Sequence, residues 1–233
     1  MRSLLAVHFQ HLYSRVSLNA EVAAFHARGI QDPFGLYIVF SGANDIADAL
    51  IPALGLDGAA AILNTVSGIL GAIQAFEAAG ARTIVVPNIP DLDLTPAFQF
   101  LGPPTTNPAG ILSALFNQTL AGALSAFDAA SSADIIQFQT DDLLNSVVAN
   151  PGLFGFANIT APCYNGFVAP NPAGVECANP DQHVFWDLVH PTTRIHAILG
   201  NAIVIAVPEP STLSLLVVAM LSLGLVFRNS SVV

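Results

Sequence analysis

Apolar residues in this chain follow two rhythms. In the longer stretches they return every three to four positions, and in the shorter ones they run unbroken. The first rhythm predicts helices, the second predicts strands buried on both faces. Val16 to Arg28 reads as a helix with Val22 and Phe25 on one side. Leu36-Tyr37-Ile38-Val39-Phe40 is a continuous run rich in aromatic and branched side chains, hence a buried strand. It ends in Ser41-Gly42-Ala43-Asn44-Asp45, read as a turn. Ala59 to Ala79 is a long periodic helix, with Gly80 placed to end it. Arg82 to Val86 is a second buried strand, broken by Pro87-Asn88-Ile89-Pro90. Gly110 to Ala130 is a helix and Asp134 to Phe138 a weaker third strand. Asp141 to Asn150 is a short helix stopped by Pro151, and Thr192 to Ala206 is a last amphipathic helix. Strands alternating with helices predict an α/β domain whose parallel sheet is covered on both faces. Sites in such folds form at the carboxyl ends of the strands.

The end of the chain breaks this pattern. Val207-Pro208-Glu209-Pro210 punctuates it, and Leu213 to Phe227 is almost wholly apolar before Arg228. A helix over about residues 211–227 would reach about 25 Å at ~1.5 Å per residue, at the short end for a bilayer. Its only polar groups within the run are Ser214 and Ser222, which favours a membrane helix over a buried core helix. Arg228 places the far end in the cytoplasm. Met1 to Tyr13 does not read as a signal peptide. Its apolar run, Leu4 to Val7, is short and is broken by His8, Gln10 and His11.

Composition narrows the function classes. With 233 residues the chain is long enough for one domain with a full core. Apolar residues make up 53% and mean hydropathy is +0.63. Net charge is −10 and there is no lysine, so a nucleic-acid partner and a polybasic lipid contact are both disfavoured. Cys163 and Cys177 flank a loop rich in Pro, Asn and Gly. In an exported protein they read as a disulfide closing about 15 residues, worth on the order of 3 kcal/mol. In a cytosolic protein they would be two free thiols.

Two short stretches carry candidate chemistry. Gly42-Ala43-Asn44-Asp45 follows a strand, where the Asn44 amide could donate to a developing oxyanion. An ordinary turn would use the same residues. Asp187 stands three residues ahead of His190, just before the last helix. A carboxylate folded back onto Nδ1 would fix the imidazole tautomer and leave Nε2 as a general base. A capping Asp beside a surface His is the alternative. His183, His190 and His196 with Asp181 and Asp187 fit no usual ligand spacing, so no metal is expected. Asp91-Leu92-Asp93 reads as a turn after a strand.

Together these stretches resemble the GDSL, or SGNH, hydrolases, in their lecithinase/phospholipase-like branch. Leu36 to Asp45 resembles one family stretch, Val86-Pro87-Asn88-Ile89-Pro90-Asp91-Leu92 another, and Asn150 to Phe156 a third. The paired cysteines and Phe185-Trp186-Asp187-Leu188-Val189-His190-Pro191-Thr192 complete the set. The resemblance implies a three-layer α/β/α, flavodoxin-like domain over residues 1–206. It implies an ester hydrolase that uses no cofactor or metal and acts on a lipid or acylated saccharide. Asn44 would belong to the oxyanion hole with Gly42 and Asp45 supporting it, and Asp187 and His190 would be the acid and base of a triad. The family's Gly-Asp-Ser-Leu block is absent, and Ser14, Ser17 and Ser41 lack its flanking residues, so the nucleophile is unassigned. The expectation is therefore a fragment or miscalled start lacking the first βα unit and folding poorly alone. A non-catalytic binding module on the same scaffold is the rival, with a polysaccharide deacetylase-like esterase or a structural envelope protein behind it. Residues 207–233 resemble a PEP-CTERM sorting signal. That resemblance implies export, an exosortase as partner and a bacterial envelope location.

Overall fold

The computed structural model describes residues 17–29, 32–103, 107–166 and 174–208. The expected membrane helix over residues 211–227 lies outside them, as does most of the 207–233 tail. The described chain forms a three-stranded parallel sheet in the order β1 (Leu36–Ile38), β2 (Thr83–Pro87), β3 (Asp134–Phe138). Tyr37 pairs with Ile84, and Ile84 with Ile135. The parallel α/β arrangement expected from the alternation of elements is the one observed.

Helix α1 (Leu18–Ala27) precedes β1, α2 (Ala43–Ala49) and α3 (Gly58–Ala78) lie between β1 and β2, α4 (Pro108–Asp128) lies between β2 and β3, and α5 (Thr140–Ala149) and α6 (Thr193–Ala206) follow β3. The long helices begin where their sequence supplies a cap. Asp57 accepts a 2.8 Å bond from the Ala60 N–H, and Asn107 accepts one of 3.0 Å from Ala109, ahead of Pro108 at the first helical position. Helix α3 ends at Ala79, and Gly80 follows with φ +97°, which a side chain would resist.

Helix α3 buries Ile62, Val66, Ile69 and Ile73, and α4 buries Phe116, Leu120 and Leu124. Both pack with Tyr37, Val39, Ile84 and Val86 in the main core. Each of these helices is long and apolar enough to cross a membrane, yet their buried stripes mark them as core helices. A second cluster joins Leu144 and Val147 of α5 to Val184, Phe185 and Ile195. Helix α6 contacts β3.

Two features differ from the sequence reading. The run from Leu36 to Phe40 was expected to be buried on both faces, but only Tyr37 and Val39 are buried, while Leu36, Ile38 and Phe40 are 41%, 49% and 47% exposed. The reason is alternation: Tyr37 and Val39 point into the main core, while Leu36, Ile38 and Phe40 lie on the opposite face, which the described residues leave partly uncovered. The stretch after it was expected as a turn, yet from Ala43 it winds into α2. Gly42 makes this possible with φ +121°, and a Cβ there would lie 2.5 Å from Cζ of Phe116. Gly42→Ala therefore meets both backbone strain and an aromatic ring. It is expected to cost about 1–3 kcal/mol or more, read as a lowered midpoint in urea denaturation.

Candidate active site

The strand ends deliver the first half of the site. The ladder carries on past Ile38, with the Val39 N–H donating to Val85 O at 2.9 Å. The chain then turns at Gly42, whose carbonyl accepts from the Ile46 N–H at 3.0 Å and starts α2. Asn44 is the second residue of that helix and is exposed, while Asp48, one turn on, is buried.

The carboxyl end of β2 is fixed by a buried polar network. Asn88 donates to Gln139 Oε1 at 2.7 Å and to Asp141 Oδ1 at 2.6 Å. Its own oxygen accepts from the Thr140 N–H at 2.7 Å. Asn117 of α4 clasps Ile89, accepting from its N–H at 3.1 Å and donating to its carbonyl at 2.8 Å, and also donates to Asp141 at 3.1 Å. Buried amides satisfied in this way hold a loop in one position. That loop leads to Pro90 and Leu92, which form one wall of the site.

The second half comes from the segment before α6. Trp186 N–H donates to His190 O at 2.8 Å, and Thr192 N–H to Val184 O at 2.9 Å, so residues 184–192 close into a tight turn. At its tip Asp187 binds the turn from within. One carboxylate oxygen accepts from the N–H groups of His190 at 2.7 Å and Val189 at 2.9 Å. The other meets His190 Nδ1 at 2.7 Å. The Asp187 side chain is 9% exposed and that of His190 is 51% exposed. The pair is thus rooted in the protein at its acid and open at its base.

The electrostatics agree with that placement. The Asp187 hydrogen bond holds the His190 pKa above the ordinary 6.5; partial burial opposes this, and the carboxylate charge adds to it. Burial acts to raise the Asp187 pKa, but the bonds from the His190 ring and from two backbone N–H groups outweigh it and the carboxyl sits low. With Nδ1 engaged by the carboxylate, proton exchange with a substrate falls to Nε2.

Asn44 and His190 line one cavity of about 260 Å³. Its walls are apolar: Phe40, Phe98, Leu144, Val147, Ile198 and Leu199. A wider cleft lies on the other side of α2, lined by Glu21, Asp45, Asp48 and Asp57. Asn44 and Asp48 border both. Gly42 and Asp45 flank Asn44 along the chain and line the cleft rather than the cavity. No serine lines the cavity among the described residues.

Cys163 and Cys177 are joined in a disulfide. Their sulfurs and a His183 ring nitrogen lie within 4.8 Å of one another, but a disulfide offers no thiolate to a metal. The apolar wall residues were missed as site residues in the sequence. Leu144 and Val147, like Ile195, Ile198 and Leu199, recur at helical spacing, and that signal is the same for a core face and a pocket wall.

The family model described as GDSL-like Lipase/Acylhydrolase matches residues 7–203. A Pseudomonas putida protein described as an uncharacterized protein in the trpE-trpG intergenic region is 34% identical over 206 residues, covering 84% of this chain and 33% of that protein. Esterase EstA of Pseudomonas aeruginosa is 33% identical over 205 residues, covering 79% of this chain and 28% of its own length. A GDSL esterase/lipase of Arabidopsis thaliana is 34% identical over 68 residues, 27% of this chain and 19% of that protein. The chain therefore spans a third or less of the length of these curated relatives.

Proposed function

Because this chain belongs to the GDSL-like lipase/acylhydrolase family, we propose that it carries the oxyanion and acid–base half of an ester-hydrolysing site. The observation that supports this most is the shared cavity: Asn44 and His190 are 146 positions apart in sequence, by their numbers, yet line the same space. In the proposed reaction Nε2 of His190 takes the proton of a serine hydroxyl as its oxygen attacks the ester carbonyl. Asp187 holds the ring and stabilises the imidazolium. The Asn44 amide, with Gly42 and Asp45 shaping the first turn of α2 around it, donates to the oxyanion of the tetrahedral intermediate. His190 then returns the proton to the leaving alkoxide, and water repeats the cycle on the acyl-enzyme.

The serine has to come from outside the described residues that line the cavity. We propose that it stands on a further βα unit beside β1, a reading supported by the edge and face that the described residues leave open there. The test is hydrolysis of p-nitrophenyl butyrate by the 233-residue chain and by the product of any longer in-frame coding sequence that contains it, with His190→Ala as control. Activity in the longer form that disappears in the control supports the hydrolase. Full activity in the control overturns the assignment of the base. Tight binding without turnover in both forms favours the non-catalytic module.

The apolar cavity is proposed to take the acyl part of a lipid or acylated saccharide. Val147→Phe, which fills it from α5, is expected to cut kcat/KM for longer p-nitrophenyl acyl esters relative to the acetate by about 10-fold or more. The pH profile follows from the pair. General-base catalysis needs neutral His190, so kcat/KM rises with pH through the His190 pKa, with a midpoint above 6.5. The His190 contribution to stability runs the other way. It is complete below the ordinary value and fades as pH rises through the raised one.

Export to the envelope, with residues 207–233 acting as an exosortase-recognised anchor, is proposed on Val207-Pro208-Glu209-Pro210 and the apolar run before Arg228. The disulfide suits an oxidising compartment. Recovery of the protein in the cytosolic fraction after cell fractionation would remove this part.

A further inference from the structure

The turn that carries Asp187 and His190 is fastened from behind. Trp186 precedes Asp187 and is engaged three times. Its N–H closes the turn on His190 O, its carbonyl accepts the Tyr164 N–H at 2.6 Å, and its indole stacks on the Tyr164 ring. The ring centroids are 5.6 Å apart and the planes 8° from parallel. Tyr164 is held in turn. Its neighbour Cys163 is bonded to Cys177, whose N–H donates to Cys163 O at 2.8 Å, and the Cys163 N–H donates to Phe185 O at 3.0 Å. The phenol ring lies against the backbone of Gly166 and Gly174, so close that a Cβ at either would fall on ring atoms. Gly174 has φ +65°, a conformation that a larger residue resists. The clamp places two aromatic rings, a disulfide and two glycines behind the turn, and none of its described residues from Cys163 to Cys177 lines the cavity.

Resting on the function proposed above, we infer that Tyr164 and Trp186, braced by the Cys163–Cys177 bond, are positioning residues that set the orientation of Asp187 toward His190. The Trp186 backbone is bonded on both sides, so a tilt of the indole transmits directly to the next residue. Errors of about 1 Å in such pairs cost about 100-fold in rate. Asp187 meets the His190 ring within its own turn, and Asp48 of α2 and His196 of α6 are the other titratable groups that line the cavity. Only the first of these is attached to the clamp, so releasing the clamp acts on His190 through Asp187.

The experiment reads the His190 ring directly. Its Cε1–H resonance, assigned by its loss in His190→Gln, is titrated by NMR in the wild type, Tyr164→Leu and Tyr164→Phe. Trp186 is the only tryptophan in the chain, so its fluorescence reports the stack in the same samples. Tyr164→Phe keeps the ring and is expected to leave both signals in place. Tyr164→Leu is expected to shift the emission and bring the His190 midpoint down toward the ordinary value of about 6.5, with circular dichroism unchanged. In the hydrolytically competent protein the same change should lower kcat by about 10-fold or more with KM nearly constant. An unmoved His190 midpoint in a folded Tyr164→Leu protein overturns the inference. Should that variant fail to fold, the wild type before and after treatment with dithiothreitol gives the same reading. There, loss of the stack without movement of the midpoint also overturns it. The NMR measurement needs no substrate, so a chain that shows the shift, with a longer form that hydrolyses no ester, would sink the hydrolase and leave the clamp standing.

Discussion

His190→Ala is expected to lower kcat/KM for ester hydrolysis by about 1,000- to 10,000-fold, leaving only what the oxyanion donors and binding supply. The size follows from what the side chain does. It stands between solvent and a buried carboxylate, half exposed, with one nitrogen already engaged at 2.7 Å. No other group in the cavity can replace it. His196 lines the same space, but no carboxylate among the described residues binds its ring to fix its tautomer, and Asp48 is an acid whose ionised form only accepts hydrogen bonds. Asp187→Asn should approach the same loss for a different reason. An amide at that position can donate to Nδ1, which presents the wrong tautomer and leaves Nε2 protonated. It also removes the cause of the raised His190 pKa, so the residual activity should titrate at lower pH than in the wild type. Steady-state kinetics from pH 5 to 9, a range of about four units around the ordinary histidine value, check both. An Asp187→Asn enzyme with an unshifted profile would mean that Asp187 serves the turn and not the ring.

Asn44→Ala is expected to reduce kcat by about 100- to 1,000-fold with little change in KM. A donor that acts mainly on the tetrahedral oxygen contributes to the transition state and not to ground-state binding. The position can be altered without wrecking the fold, because Asn44 is exposed in the first turn of α2 while Ile46, Ala47 and Asp48 bury the helix. This separates it from Gly42→Ala, whose loss should follow from a Cβ thrust at Phe116. An equal fall in kcat and in thermal stability for Asn44→Ala would reassign the residue to structure.

Much of this was legible in the sequence for physical reasons that can be named. Helix α3 was readable within a residue at each end because its apolar residues keep a helical period and Gly80 stops it, and both signals are local. Strand β3, Asp134–Phe138, falls where its residues predicted. Asp187 and His190 could be paired because three residues of separation suffice for a turn, and the carboxylate does bind Nδ1. The burial of β1 was misread because an apolar run does not say whether both faces of a strand are covered. Helix α2 was taken for a turn because Gly42 and Asn44 favour turns locally, whereas its helical form depends on packing Ile46 and Ala47 into the core. The Tyr164–Trp186 stack joins residues 22 positions apart, by their numbers, across an irregular loop that has no periodicity to read.

Among the described residues no strand lies on the outer side of β1, and that edge has a bearing on how the chain behaves in solution. Leu36 and Ile38 stand beside backbone donors and acceptors that would accept any extended peptide, including the same strand of another molecule. With only 6 arginines and no lysine in 233 residues, the chain is poor in the cationic gatekeepers that usually discourage such pairing. Light scattering that climbs with protein concentration, and falls when Ile38 is changed to Lys, is the behaviour this surface dictates.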